Sequence, residues 1–537
     1  MSHQTVFERF SDAVHRRGDA PFLQVLDETA RIYAIPAGEV SYAEMGERVG
    51  RWAKRFAGAG YGAGHRVGLL LQNRPVYLEI WLALNSLGAS VVPINPDLRL
   101  AELEYLAAHS EMILAIVLPE RADEVRQAAT NAGLTLPVIS PGDTLPEATL
   151  PASGGVNLGS STECALLYTS GTTGQPKGCI LSNEYFLHSG DWYETTGGYI
   201  SLRKDCERML TPLPVFHMNA MAVSVMAMIT VGGCIILLDR FHPRSWWQSV
   251  RESRATVVHY LGVMPSMLSG AEPSPADRDH SVRFGFGAGV DKKLHEPFEQ
   301  RFGFPLIEAW AMTETGSGGV ICAFEEPRKT GTSCFGRAEP DVEVRVVDDA
   351  GHDVEGDAPG ELLVRRAGDN PRYGFFSGYL KNRQATDEVW EGGWFHTGDI
   401  VSRDADGSFH FIDRKKNVIR RSGENIAAVE VETILNRHPD IRMTAAAATP
   451  DETRGDEVAV VIVLGAGDGS AGKAEEIVQW ALDQMAYYKV PGWVSFVPEL
   501  PLTATQKILR GKVKDLVADL MARGEFHDTR ALKRRRV

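Results

Sequence analysis

Six cysteines in 537 residues (Cys164, Cys179, Cys206, Cys234, Cys322 and Cys334) form no C-x-x-C pair and stand at no histidine spacing that would build a zinc site. A disulfide scaffold is thereby excluded, and reduced cytoplasmic thiols are the plain reading. Basic charge is also short: Lys plus Arg number 56 against 70 Asp plus Glu, a net charge of −14, which argues against a nucleic-acid surface. Residues 1–12 carry Glu8, Arg9 and Asp12 and lack an apolar targeting segment, so secretion is not expected. There is no internal repeat. What the chain does have is a globular composition, 44% hydrophobic and 23% charged. At roughly 150 residues per domain its length suggests three to four compact units.

One stretch lacks charge altogether. Met209 to Leu238 contains no Asp, Glu, Lys or Arg, longer than the ~18 residues that raise the question of a membrane span. Pro212, Pro214, His217 and Gly232-Gly233 interrupt it. The pattern predicts a buried helix over Asn219–Thr230 and a buried strand over Cys234–Leu238, the core of an α/β protein with no membrane span.

Ser41-Tyr-Ala-Glu44 is a capping box, followed by Tyr42, Met45, Val49, Trp52 and Phe56 at helical spacing. A strand at Arg66–Leu71, a helix at Val76–Leu87 and a strand at Ser90–Ile94 then read as a parallel βαβ unit. Pro141–Thr162 is turn-rich and reads as a surface loop or seam. Around Val342–Val347 and Gly360–Val364 the period switches to two, which predicts a small antiparallel β-subdomain. After Asp413 short elements alternate: helix Val429–Asn436, strand Glu457–Leu464, helix Ala474–Met485, strand Trp493–Val497, helix Lys512–Met521. These form a compact α+β unit of about 120 residues.

The densest chemistry lies in Leu166-Leu-Tyr-Thr-Ser-Gly-Thr-Thr-Gly-Gln-Pro-Lys-Gly178, where an apolar strand runs into small and hydroxylated residues and ends in one lysine. Gly171 and Gly174 let backbone N–H groups approach an anion, Thr169, Ser170, Thr172 and Thr173 add hydroxyls, and Lys177 adds a mobile cation. It is not a Walker A loop, because the Gly-Lys-[Ser/Thr] ending is missing. Taken alone, such a loop is also compatible with a polar turn.

This segment closely resembles the phosphate loop of the acyl-adenylate-forming superfamily, and further motifs follow in the family's order. Leu213-Pro-Val-Phe-His-Met218 is similar to the segment whose histidine, here His217, sits between nucleotide and acyl pockets. Phe284-Gly-Phe-Gly-Ala-Gly289 resembles the strand and loop, here Gly287, Ala288 and Gly289, that line both. Glu308-Ala-Trp-Ala-Met-Thr-Glu-Thr-Gly316 resembles the adenine and magnesium motif: Trp310, where the family usually has Tyr, would stack on adenine, Thr313 would bond the α-phosphate and Glu314 would hold Mg²⁺. Trp394-Phe-His-Thr-Gly-Asp399 carries the aspartate that would take the ribose hydroxyls. In Asp413-Arg-Lys-Lys-Asn417, Arg414 would contact ribose or phosphate and Lys416 would be the interdomain pivot. Arg421-Ser-Gly-Glu-Asn-Ile426 resembles the loop that swings in beside the pantetheine channel, with Gly423 leaving room. Leu500 to Arg510 resembles the terminal motif carrying the adenylation lysine, Lys507, with Gln506 in place of the usual Gly.

The resemblance runs from about Phe7 to Lys512. It implies an α/β fold: a large N-terminal domain (1–415) of parallel βαβ subdomains with a small β-subdomain, then a small mobile α+β C-terminal domain (416–537). It implies a cytoplasmic acid–thiol ligase that uses ATP and Mg²⁺ to turn a carboxylic acid into acyl-AMP and then transfers it to CoA, with a homodimer possible. The nearest branch is the carnitine and crotonobetaine CoA ligases, from Pro214-Val-Phe-His217 and Gly423-Glu-Asn425; Asn219 stands where that branch is expected to place Asp. Two alternatives share parts of this pattern: an adenylating enzyme that loads a free-standing carrier protein, and a non-catalytic adenylate-binding regulator. The second predicts decay of catalytic positions, yet Glu314, Asp399, Arg414 and Lys507 are all present.

Overall fold

The computed structural model describes residues 4–155, 157–169, 175–414, 418–465, 467, 469–501 and 508–534, with only the backbone of Asp413 and Arg414. Two mostly parallel sheets form the body of the large unit. One runs in the order Ile321–Cys322, Leu306–Trp310, Phe284–Ala288, Val257–Leu261, Arg208–Thr211, Cys234–Leu237, Pro21–Val25, Gly38–Ser41. The other runs Gly378–Tyr379, Lys177–Ser182, Glu163–Thr169, Ser90–Pro93, Arg66–Leu70, Leu114–Val117, Val138–Ile139.

The anticipated βαβ unit is present: Arg66–Leu70 pairs in parallel with Ser90–Pro93 across helix Pro75–Ser86. Helix Tyr42–Gly58 starts at the Ser41 capping box and buries Tyr42, Met45, Val49, Trp52 and Phe56. A five-stranded antiparallel sheet holds Val342–Val347, Gly360–Arg366, Phe395–Arg403, Phe409–Arg414 and Cys334–Gly336, as the period-two pattern required.

The uncharged stretch is divided among several elements. Its strands Arg208–Thr211 and Cys234–Leu237 pair in parallel inside the first sheet. Between them the expected single helix is two: a π-helix over Asn219–Val225 continuing as an α-helix over Met226–Val231. Among the described residues no helix is long and apolar enough to cross a membrane.

From Val418 onward the chain builds its own sheet, Glu424–Ala427, Val418–Arg421, Gly455–Leu464, Trp493–Phe496, His527–Asp528, with Ile441–Asp451 paired to Gly455–Leu464. Its apolar clusters, centred on Ile419, Val431, Val460 and Ile477 on one side and on Ala445, Val461 and Val517 on the other, include no residue of the large unit. The boundary expected between 415 and 416 lies outside the described residues.

In open parallel sheets ligands bind beyond the carboxyl ends of the strands, where loops diverge. Leu261, Ala288 and Trp310 end three neighbouring strands of the first sheet, and Thr169 ends a strand of the second. These ends converge on one cavity.

Candidate active site

The strand Glu163–Thr169 returns as Lys177–Ser182 in an antiparallel pair, with Thr169 opposite Lys177. The strands on either side of the candidate phosphate loop are therefore antiparallel neighbours, a different frame from the strand and helix that flank a Walker loop. Ser170, Gly171, Thr172, Thr173 and Gly174 lie outside the described residues. At the end of the first of these strands the Thr169 hydroxyl donates to Glu314 Oε1 at 3.4 Å, and the Tyr379 hydroxyl donates to the same oxygen at 2.8 Å. Lys177 Nζ stands 4.6 Å from the centre of the Tyr379 ring. Thr169 and Lys177, read from one motif, and Glu314, read from another, are thus brought together.

Tyr379 was not foreseen. It belongs to a two-residue strand, Gly378–Tyr379, that pairs with Ile180 and Cys179, and nothing in a Gly-Tyr dipeptide announces that contact. Burial and the Glu314 charge push its phenol far above the ordinary range, so it is a permanent donor to Glu314. Tyr379→Phe is expected to lower acid-dependent pyrophosphate exchange about tenfold and to raise the Mg²⁺ concentration needed for half-maximal rate, since it frees the carboxylate's orientation. A magnesium titration of the exchange rate checks this.

The turn carrying Thr313 and Glu314 is held from two sides: the Tyr185 hydroxyl donates to Thr313 O at 2.9 Å, and the Phe376 N–H to Glu314 O at 2.9 Å. Glu314 is buried, while Thr313 is half-buried on the cavity wall. At the end of the strand that leads into this turn, Trp310 is 6% exposed, and its Nε1–H donates to Asp399 Oδ2 at 2.8 Å. The adenine and ribose candidates therefore meet directly. Arg414 pairs with Asp399 through the strand backbone. Lys416 and Lys507 lie outside the described residues.

Gly287 lies opposite Tyr260 in the parallel pair, and a Cβ there would sit 2.2 Å from the Tyr260 carbonyl oxygen. No side chain fits at that position. Beyond it, Glu308 accepts the N–H of Gly289 at 2.8 Å and of Val290 at 3.0 Å, and the Tyr260 hydroxyl at 3.1 Å. Burial pushes the Glu308 carboxyl up, and the two backbone donors pull it back. This acid, quoted in the sequence only as the first letter of a motif, braces the Gly287–Ala288–Gly289 turn.

The acyl side of the cavity is lined by Trp192, Phe216, His217, Asn219, Val223 and Phe286. Val263 sits at the start of helix Val263–Ser269 and packs against a neighbouring core, and Leu261 faces the cavity. The wider π-helical turn puts Asn219 against His259, whose Nδ1 is 3.1 Å from Asn219 Oδ1 and 2.8 Å from Ser224 Oγ, while Nε2 is 3.1 Å from the Tyr193 hydroxyl. Burial drives the His259 pKa down to about 3, so the imidazole is neutral. In the sequence His259 is one residue inside the apolar strand Val257–Leu261 and gives no sign of this network. Trp192 lines the cavity, with its Nε1–H donated to Glu339 at 2.8 Å. Trp246 and Trp247 pack on Phe241 and Phe302 in the neighbouring core.

The C-terminal unit closes the cavity. Gly423 adopts φ +89°, and a Cβ added to it would come 2.4 Å from Leu261 Cδ1. Glu424 Oε1 is 3.4 Å from His217 Nε2. Gly423, Glu424, Asn425 and Tyr488 thus share with Thr169, Thr313 and Glu314 the lining of a single cavity of about 370 Å³.

Residues 10–380 match the AMP-binding enzyme family, and residues 430–507 match the AMP-binding enzyme C-terminal domain. A crotonobetaine/carnitine–CoA ligase of Escherichia coli O157:H7 is 30% identical over 510 residues, covering 91% of this chain and 96% of that protein. The o-succinylbenzoate CoA synthetase of Bacillus subtilis shares the fold with a TM-score of 0.80 at 22% identity, over 94% of this chain and 98% of that one. The amide bond synthetase of Marinactinospora thermotolerans does so with a TM-score of 0.79 at 24% identity, over 95% and 99%. With its motifs, its two family matches and this fold in agreement, the chain belongs to the AMP-binding enzymes of the acyl-adenylate-forming superfamily.

Proposed function

We propose that this protein, as an AMP-forming acid–CoA ligase, acts on an uncharged short or medium-chain acid or a compact aromatic one. ATP and CoA are the co-substrates that such a ligase consumes. The carrying observation is the single cavity in which the phosphate-side residues Thr169, Thr313 and Glu314, the acyl wall and the Gly423 loop all meet.

A carboxylate is a poor acyl donor because its leaving group would be oxide, so it must first become a mixed anhydride with AMP. In the proposed first step the acid attacks the α-phosphate, pyrophosphate leaves, and Thr313, Lys177 and Lys507 offset the charge that builds on both. Magnesium fits the donor set: Glu314 is a buried carboxylate with two hydroxyls on one oxygen, a hard site that water and phosphate oxygens would complete. Bound there, the ion would neutralise phosphate charge. Trp310 and Asp399 would take adenine and ribose. In the second step the CoA thiol, with a pKa of ~8.5, needs no dedicated base. It would attack the acyl carbonyl past Gly423, after the C-terminal unit has turned about Lys416; the C–O bond to the phosphate breaks, AMP leaves and the thiol proton passes to water. A cytoplasmic setting suits the six free cysteines.

The acyl wall combines Trp192, Phe216, Val223 and Phe286 with Asn219, which is backed by the neutral His259, and the Glu424 carboxylate that reaches this wall lies against His217 at 3.4 Å. The Glu339 carboxylate behind Trp192 is already engaged by the indole N–H. A quaternary ammonium would want an acidic partner or an aromatic cage, and among the described residues Trp192 is the one tryptophan that lines the cavity. CoA-dependent pyrophosphate release over a panel of acids tests this. Neutral acids should be used at least as well as carnitine, and long fatty acids poorly. A kcat/KM for carnitine or another betaine more than about tenfold above every neutral acid, ~1.4 kcal/mol in transition-state stabilisation, overturns the assignment.

A further inference from the structure

The seam between the two units holds a buried ion pair. Lys489, in the C-terminal unit, places Nζ 2.6 Å from Glu102 Oε1 in the large unit and 2.5 Å from Glu430 Oε1 in its own. The three side chains are 7%, 4% and 5% exposed. The other oxygen of Glu102 accepts the N–H of Ala486 at 2.8 Å, and of Arg99 at 3.0 Å. Between them, Asn95 Nδ2 donates to the Tyr488 hydroxyl at 3.0 Å. A segment of four residues is thus pinned to the large unit at three points. Its middle is Tyr488, which forms part of the cavity wall beside the Gly423 loop.

We propose that Glu102 is a positioning residue for thioester formation: it seats the segment Ala486–Lys489, and with it the C-terminal unit, in the pose that offers the Gly423 loop to the acyl group. This rests on the reading that CoA transfer takes place in the pose described.

The chemistry of the pair suits a reversible seat. Each partner keeps a second contact when the units part: Lys489 retains Glu430, and Glu102 retains the Arg99 N–H at the first turn of helix Leu100–Ser110, where a negative charge is favoured. The desolvation of two charges on docking largely offsets their attraction, so such a pair fixes orientation more than it adds binding. An apolar seam of the same area would hold the units together too strongly for alternation. A charged seam with a wrong register is penalised, because it leaves a buried lysine or carboxylate without its counterpart.

The test uses Glu102→Gln, which keeps the shape and an acceptor for Ala486 while removing the charge, with Asn95→Ala as a second lesion in the same seam. Acid-dependent pyrophosphate exchange should stay within about twofold of wild type in both. Thioester formation from presynthesised acyl-AMP and CoA should fall on the order of tenfold in kcat, with little change in the KM for acyl-AMP. Equal loss in both half-reactions, or loss in neither, overturns the proposal. Hydrogen exchange of full-length protein without substrates reads the seat without any thiol: the Ala486 amide should exchange at least about tenfold faster in Glu102→Gln, with strand 458–464 unchanged. If wild type makes no CoA ester, the function reading fails on its own, while unchanged Ala486 exchange would overturn the role of Glu102.

Discussion

Gly423→Leu is expected to preserve acid-dependent pyrophosphate exchange while cutting thioester formation from acyl-AMP and CoA by at least on the order of 100-fold. Two effects act in the same direction. The φ of +89° is one that L side chains rarely adopt, and a Cβ at that position already overlaps Leu261 Cδ1 at 2.4 Å. A branched side chain would hold the loop off Leu261 and fill the space beside it. The contact crosses the seam, so a defect confined to the second half-reaction points to the docked pose. Gly423→Ala alone and with Leu261→Ala separates the two causes. Recovery of thioester formation in the double variant assigns the block to Leu261, and an unrecovered rate assigns it to backbone strain. Loss of exchange as well, with a lowered thermal midpoint, would show a folding role only.

Lys507→Ala is expected to do the converse, reducing acyl-AMP formation by on the order of 10²–10³-fold while sparing thioester formation from presynthesised acyl-AMP. In the proposed mechanism the lysine is a charge-stabilising donor for the step that expels pyrophosphate, and that step is complete before the thiol arrives. The Gly423 loop lines the same cavity as Glu314 in the structure described, so the two devices are expected to act in turn. Rapid-quench measurement of acyl-AMP in the absence of CoA, beside a single-turnover transfer assay, checks the division. Equal loss in both half-reactions would make Lys507 a structural residue.

Much of the site was legible because it is written in contiguous segments. The segment after Thr169, the turn holding Thr313 and Glu314, the end of the strand at Ala288 and the Gly423 turn each combine residue types that ordinary cores do not need: glycines in runs, hydroxyls beside one lysine, an acid inside an apolar segment. The period of apolar residues likewise placed the first βαβ unit and the antiparallel sheet around Val342–Val347. One strand escaped. Ile441–Asp451 contains a run of alanines, a residue that favours helix, yet it pairs with Gly455–Leu464 over its whole length. Ala445 and Ala447 pack in the cluster with Val513 and Val517 while Ala446 packs with Val431 and Ile434, so helices cover both faces and leave room only for small side chains.

By itself the sequence determined the order of the phosphate, acyl, nucleotide and C-terminal segments and the reaction class they serve, since these depend on residues within a few positions of one another. Tertiary structure alone decided the partners at long range. Tyr379 reaches Glu314 across 65 residues, Trp310 reaches Asp399 across 89, and Glu102 meets Lys489 across 387. Such pairs leave no local pattern, because a buried tyrosine, an indole N–H or a lone glutamate in a helix is ordinary until the fold supplies its counterpart. The chain's periodicity can state that each is buried or half-buried. Only the packing of separate sheets, and of one unit on the other, states what each is buried against.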